Sequence, residues 1–430
     1  MDRHIMEEFN RTSVIMEMSK EVNKTKNKGG FKRGILVGGI GTTFVMILFI
    51  FAFVVLNDGV QDWLLRTSYD TVGLIDGEVL EKVDVLSNTI QAYYMGDFTM
   101  QDLENGIYSG VIDSLGDPYS VYYTESELER MLEMANGVYY GIGAYVGIHL
   151  DTNTPQIARV IPNTPAEESG LVAEDLIVQV DGIDTRGMSL EEAITLIKGD
   201  EGTIVTLTVY RDGESDYLDI PVERRQIESQ TVTYEMLENQ IGYISVLEFD
   251  TITESQFREA LVVLKANQMK GMILDLRGNP GGNLSTVVEM LRMILPEGLI
   301  VYTEDKYGEQ VRYTGKGEDP LEVSLVVLVD GNSASASEIM AGAIQDYKIG
   351  TIMGSTTYGK GIVQSIITLS DGSAVKLTVS HYYTASGKEI HGVGIIPDVE
   401  VAFDAQSYVN YGFDNQLEFA IEYMQGQLQE

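Results

Sequence analysis

Between residues 34 and 56 the chain runs GILVGGIGTTFVMILFIFAFVVL, 23 residues without a charge. At 1.5 Å per residue, a helix of that length spans the ~30 Å hydrocarbon core of a bilayer with some tilt. A buried helix of a globular domain is rarely so long or so uniformly apolar. Lys24, Lys26, Lys28, Lys32 and Arg33 precede the run, and Asp58 and Asp62 follow it. The positive-inside rule then expects residues 1–33 in the cytoplasm and everything after 56 across the membrane. The long basic lead, the length of the run and the poor cleavage site after Leu56 favour an uncleaved signal anchor. The expectation is a single-pass protein of the cell membrane with its folded part extracytoplasmic.

With 430 residues, the chain is too long for one ordinary domain. It carries 65 acidic against 29 basic residues, a formal net charge of −36. A phosphate backbone would be repelled, so nucleic acid is excluded as a partner. No cysteine is present, which removes disulfides, thiolate metal sites and cysteine nucleophiles.

Residues 57–135 carry helix-period apolar positions in SNTIQAYYMG, TMQDLENGIYSGVIDSLG and TESELERMLEMANG. The stretch GDPYSVYYT between the last two reads as a turn and a short aromatic extended piece. Residues 136–224 change character. GIGAYVGIHL, TPQIARVI, DLIVQVDG and TIVTLTVYRDG read as short strands. One helix interrupts them, SLEEAITLIKG, with Ser189 and Glu192 set as a capping box. From 225 to 430, strands such as GMILDL and SLVVLV alternate with helices such as NLSTVVEMLRMIL and SEIMAGAIQDY, which is α/β wiring. The C-terminal NQLEFAIEYMQGQL is amphipathic and suits packing on the core or on a second subunit, which leaves a homodimer open.

SLVVLVDGNSASASEIMAGAIQD reads as strand, tight turn and helix, with Ser333, Ser335 and Ser337 at the helix start. Ser335 and Glu338 fit a capping box, so capping is one use for these serines. Nucleophilic catalysis is the other, and it needs a base. His4 lies in the basic tail and His149 in a strand, while His381 and His391 have no carboxylate partner indicated. Lys360, between Gly359 and Gly361, is the alternative. An exposed lysine is protonated near neutral pH, but burial lowers its pKa and frees it to accept a proton. DLRGNPGGNL lacks both nucleotide-binding glycine patterns, so a nucleotide site is not expected, and no Walker motif supports an ATP-dependent activity.

Two resemblances sharpen this reading. YYGIGAYV with PNTPAEESGLVAEDLIVQVDG resembles a PDZ domain of the bacterial protease type. Such a module captures a peptide C-terminus by strand addition, with backbone N–H groups holding the carboxylate. The resemblance places that loop at Tyr140, Gly141, Ile142 and Gly143. GNSASASEIMAGAIQD with GSTTYGKGIVQ is similar to the carboxyl-terminal processing proteases, also called tail-specific proteases, which are serine endopeptidases with a Ser–Lys dyad. LGDPYSVYYTESE, LDLRGNPGG and SGKEIHGVGIIPDVEV extend the match over nearly all of residues 65–402.

The family pattern implies Ser335 as nucleophile and Lys360 as general base. A third member would be Asp346 or Gln364. An aspartate beside the amine would stabilise its charge, whereas Gln364 could orient it without doing so, and two-residue strand periodicity would put Gln364 on the lysine's side. The oxyanion donors would be the N–H groups of Ala336 and Gly281, with Gly282 the near miss.

The expected whole is a multidomain α+β protein: a basic tail (1–33), a transmembrane anchor (34–56), a helical region (57–135), a PDZ domain (136–224) and an α/β serine protease core of the crotonase/ClpP-like kind (225–430). Its partners would be protein or peptide C-terminal tails, with no cofactor and no metal. The rival reading is a membrane-tethered PDZ scaffold whose protease core is inert.

Overall fold

The structure is a computed structural model that describes residues 76–429. The apolar run 34–56 and its basic flank lie outside the described residues. Among the described residues, no helix is long and apolar enough to cross a membrane. The chain divides at Asp97/Phe98 into two units. In the first, Gly77–Tyr93 forms a helix capped by Asp76, whose carboxylate accepts from the Glu78 and Val79 N–H groups. None of its residues is buried.

The second unit holds two helices, Met100–Asp113 and Glu125–Asn136, then the β-rich module, then the α/β core. Both helices start on capping boxes, Thr99/Asp102 and Thr124/Glu127. The strands of the module pair in the order Ala144–His149, Thr154–Val160, Leu176–Val180, Ile204–Tyr210 and Leu218–Glu223. Their alternating apolar residues bury Ile157, Ile177, Val205, Leu207 and Val222. Helix Leu190–Ile197 carries the expected Ser189/Glu192 capping box and buries Ala193 and Ile197. Ala144–His149 is an edge strand, so one line of its backbone groups faces no neighbour in the sheet. The entry segment Val138–Gly141 pairs antiparallel with the exit segment Arg225–Glu228.

The core centres on a six-stranded sheet ordered Val232–Leu237, Ile241–Val246, Gly271–Asp275, Ser324–Val329, Thr351–Gly354 and Val399–Glu400. After the first antiparallel pair, every pairing is parallel. Gly271–Asp275 is buried along its whole length, as a strand covered on both faces requires. Helices Thr253–Ala266, Leu284–Arg292 and Ala336–Tyr347 pack against it around Phe257, Met290, Leu291 and Met340. On the other face lies the C-terminal helix Asn415–Gln427, which buries Ala420 and Met424 against Ile273 and Val326. That amphipathic helix therefore packs on its own core.

A second sheet joins Gly298–Asp305, Gln310–Gly315, Ile362–Thr368 and the long strand Ala374–Thr384. Its edge is Val121–Tyr123, paired antiparallel with Ala374–Lys376. The short aromatic piece before the β-rich module thus belongs to a sheet of the core.

Candidate active site

Three adjacent parallel strands, Gly271–Asp275, Ser324–Val329 and Thr351–Gly354, end side by side, and the loops leaving their carboxyl ends meet. In open α/β sheets this is where ligands bind. The loops carry Leu276–Asn283, Asp330–Ser335 and Ser355–Gly361.

The structure separates the three serines. Ser333 and Ser337 are fully buried. The Ser333 hydroxyl donates to the Leu276 carbonyl at 2.8 Å and accepts from the Asp330 N–H at 2.9 Å. The Ser337 hydroxyl donates to the Asn279 carbonyl at 3.0 Å. Both fasten the helix start to the glycine loop. Ser335 alone is half-exposed, and it lines a cavity of about 150 Å³ with Gly282, Leu284, Ala336, Ile362 and Gln364. Its backbone sits at φ 53°, ψ −111°, a region costly for a residue with a Cβ. A serine held there is presented at the tip of a sharp strand-to-helix turn.

That strain is held by Glu338, whose side chain is wholly buried. Its carboxylate accepts from the Ser335 N–H at 2.8 Å and the Lys360 N–H at 2.8 Å. It also accepts from the Gly359 N–H at 2.7 Å and the Thr357 hydroxyl at 2.6 Å. A buried carboxylate needs such charge-assisted bonds. One side chain therefore fixes the backbone of both Ser335 and Lys360. From the other side, the Tyr382 hydroxyl lies between their carbonyls and donates to them, 3.0 Å from that of Ser335. Burial and the nearby Glu338 push the Tyr382 phenol well up, so it stays a donor. Sequence reasoning saw Glu338 only as half of a cap and missed Tyr382, whose partners lie 47 and 22 residues away.

Lys360 is half-buried, and burial lowers its pKa. Lys376 pushes it further down, while Asp117 and Glu338 act in the opposite direction. Gln364 lines the Ser335 cavity, but its amide donates to the Thr378 hydroxyl at 3.4 Å. A bulge between Val363 and Gln364 breaks the strict two-residue alternation expected after the lysine. Asp346 is not brought to Lys360. It lies eleven residues along the helix from Ser335, about 16 Å at the helical rise. It accepts from the Ser386 N–H at 2.7 Å and the Ser386 hydroxyl at 2.9 Å, with Lys388 Nζ 3.5 Å away. Burial alone would raise its pKa, but hydrogen bonds from Thr384 and Ser386 and the charge of Lys388 hold it below the usual range. These bonds tie the end of the helix to the turn at Ser386.

The Ala336 N–H is the first of its helix and so has no partner within it. The Gly281 N–H, expected as the second donor, is already committed to Asn279 Oδ1 at 2.8 Å. Gly282, its neighbour, lines the cavity instead. Gly281 contributes by its lack of a side chain, since a Cβ there would lie 2.8 Å from both the Ala334 carbonyl and the Ser335 Cβ. Arg277 anchors the loop through Asp275, Asp414 and Gln416. Of the described histidines, His149 meets Thr152, while His381 stacks edge-on against His391 with a Glu389 carboxylate oxygen 3.8 Å away, and no bond ties any of them to Ser335. Among the described residues no acidic or histidine cluster is set to hold a metal ion.

In the module, Tyr140 and Gly141 are part of the ribbon with Arg225–Glu228, so the turn proper is Ile142 and Gly143. Ile142 is buried in the module's core. Gly143, at φ 83°, packs so closely on Thr164 that a Cβ would lie 2.3 Å from it.

Comparison with known proteins agrees with this architecture. The peptidase family S41 matches residues 240–401, and the PDZ domain matches residues 156–211. The carboxy-terminal-processing protease of Bartonella bacilliformis is 37% identical over 305 residues, covering 70% of this chain and 69% of its own. The carboxyl-terminal-processing protease of Synechocystis is 34% identical over 74% of this chain and 75% of its own. The carboxy-terminal processing protease CtpA of Bacillus subtilis is 36% identical, over 74% and 68%. The chain belongs to peptidase family S41, the carboxy-terminal processing serine peptidases, and carries a PDZ domain.

Proposed function

We propose that the protein is a membrane-anchored endopeptidase that cleaves near the C-terminal tails of extracytoplasmic proteins, with Ser335 as nucleophile and Lys360 as base. The observation that carries the assignment is the split among the serines. Two are buried ties, and the third stands strained over a cavity, clamped by Glu338 to the lysine's backbone.

Lys360 in its neutral form takes the Ser335 proton as Oγ attacks the scissile carbonyl. The oxyanion is met by the Ala336 and Gly282 N–H groups, the former at a helix N-terminus. The lysine ammonium then protonates the leaving amine, and an acyl-enzyme remains. Water, deprotonated by the same amine, hydrolyses it and restores Ser335. Gln364 lines the cavity and orients the amine once it turns toward the serine.

The PDZ module supplies the tail recognition. Its free edge at Ala144–His149 suits addition of a substrate strand, with the carboxylate held at the Ile142–Gly143 turn. The anchor at 34–56 holds the catalytic part at the membrane surface. A matched pair of peptides, free acid and amide, tests the whole reading. The amide is expected to lose tenfold or more in kcat/KM, the scale of ~1.4 kcal/mol for one charge-assisted contact set. Equal values would mean that tails are not read through this turn. Membrane fractionation of the full chain and of a version lacking 34–56 tests the anchor.

A further inference from the structure

Lys360 makes one contact that this mechanism does not use. The ring of Tyr119 faces its ammonium, with Nζ 4.4 Å from the ring centroid. Tyr119 comes from the turn before the PDZ module, far from Lys360 in sequence, yet it is fixed from several sides. Asp117 accepts from the Tyr119 N–H at 3.0 Å and from the Ser120 hydroxyl at 2.6 Å. Ser120 Oγ accepts from the Thr378 N–H at 3.2 Å, and Val121–Tyr123 is paired into the core sheet. The nearby Tyr358, two residues before the lysine, and burial push the Tyr119 phenol up to about 12.

The charged groups around Lys360 are Lys376 on the long strand, Asp117 in the turn and Glu338 on the helix. Among the described residues, Nζ forms neither a hydrogen bond nor an ion pair with any of them. Among the described residues, the Tyr119 ring is the one group set against the ammonium by a cation–π contact. Attraction between an aromatic face and an ammonium depends on the positive charge and vanishes for the neutral amine.

We propose that Tyr119 is a positioning residue for Lys360: its ring parks the protonated amine away from Ser335 and releases it when the proton leaves. The proposal rests on Lys360 being the base. The ring favours the charged form, so removing it while keeping the apolar bulk shifts proton loss to lower pH. An attraction of about 0.5–1 kcal/mol corresponds to a shift of about half a pH unit.

The test is the pH dependence of kcat/KM for a free-tail peptide, measured on the full-length protein and its variants. With Tyr119→Leu, the acid limb is expected to move about half a unit lower, so that kcat/KM on that limb rises about threefold. Tyr119→Phe keeps the ring and leaves the limb at its wild-type position. A limb that stays put or moves upward in Tyr119→Leu overturns the proposal, as does an equal shift in Tyr119→Phe.

A readout without turnover guards against a damaged fold. In Ser335→Ala protein with labelled lysines, the Lys360 side-chain resonances, assigned by their loss in a Ser335→Ala/Lys360→Ala double variant, are expected to carry a ring-current shift. That shift fades as the amine deprotonates and is missing in a Ser335→Ala/Tyr119→Leu double variant. Its absence in the presence of Tyr119 overturns the proposal. The single variant Lys360→Ala separates the two claims. If it is active, the base assignment fails and Tyr119 with it. If it is inactive while the limb ignores Tyr119→Leu, only the tyrosine's role fails.

Discussion

Ser335 owes its position to Glu338 and Tyr382, which hold its backbone from two sides. Ser335→Ala is expected to abolish peptide cleavage with little change in Tm, because the helix start is held by Glu338 and the flanking serines. Ser333→Ala and Ser337→Ala should do the reverse, leaving measurable activity but lowering stability by about 1–3 kcal/mol each, the cost of unsatisfied buried groups. Chemical denaturation beside peptidase assays reads both. Equal loss of activity in all three folded variants would remove the basis for choosing Ser335. Lys360→Arg should be inactive, since a guanidinium does not deprotonate in this range. For the wild type, burial lowers the folded pKa of Lys360 below 10.5, so kcat/KM rises with pH through that lowered value and not through the ordinary lysine range. The middle serine of the run and the glycine-flanked lysine could be read from local pattern plus family likeness. Glu338's second role could not, because three of its four donors lie 19 to 22 residues on, in another loop.

Elements set what the site accepts. The cavity beside Ser335 is walled by Leu284 and Ala336 from helices and by Ile362 and Val363 from a strand. It should favour a small aliphatic side chain before the scissile bond. Ile362→Ala should improve kcat/KM for a bulkier residue there, relative to alanine, by about tenfold, the low end of what one or two methylenes discriminate. A matched peptide series measures it, and an unchanged ratio would place the specificity pocket elsewhere.

A second element carries a pH signature. The segment from Phe249 to Thr251 bonds to the Ala135 carbonyl on one side and to Gly281 and Asn283 on the other. Within it, burial and the nearby Glu248 push the Asp250 carboxyl up to about 6. A folded pKa above the unfolded 3.8 means stability that is full below about pH 4 and lost as pH rises through 6. Asp250→Asn should therefore raise Tm more at pH 8 than at pH 4.5, which a thermal scan at the two values checks. The core helices and parallel strands were legible because their apolar periods match their burial. The bulge at Val363/Gln364 was not, since it depends on register against a partner strand, and neither was the pairing of Val121–Tyr123, whose partner is distant in sequence.

At the scale of the whole molecule, the net charge of −36 acts on encounter. Lysine-rich tails should be cleaved with a kcat/KM that falls as salt is added, and acidic tails with one that rises, since exposed charges are screened over about 10 Å at 0.1 M. Parallel slopes for the two peptides would mean that bulk charge plays no part. The PDZ module enters and leaves through hydrogen-bonded segments, so its deletion with a short linker should leave the core folded and erase the preference for free over amidated tails. The strand Val121–Tyr123 also has a history in time. Its partner, Ala374–Lys376, is made about 250 residues later, at 5–20 residues per second a delay of the order of 10–50 s. Until then Tyr119 has no seat, and Tyr382 does not yet exist to hold Ser335 and Lys360. The nascent chain is thus expected to start inert, and any product truncated before residue 374 to be proteolytically silent, unable to harm the machinery that makes it.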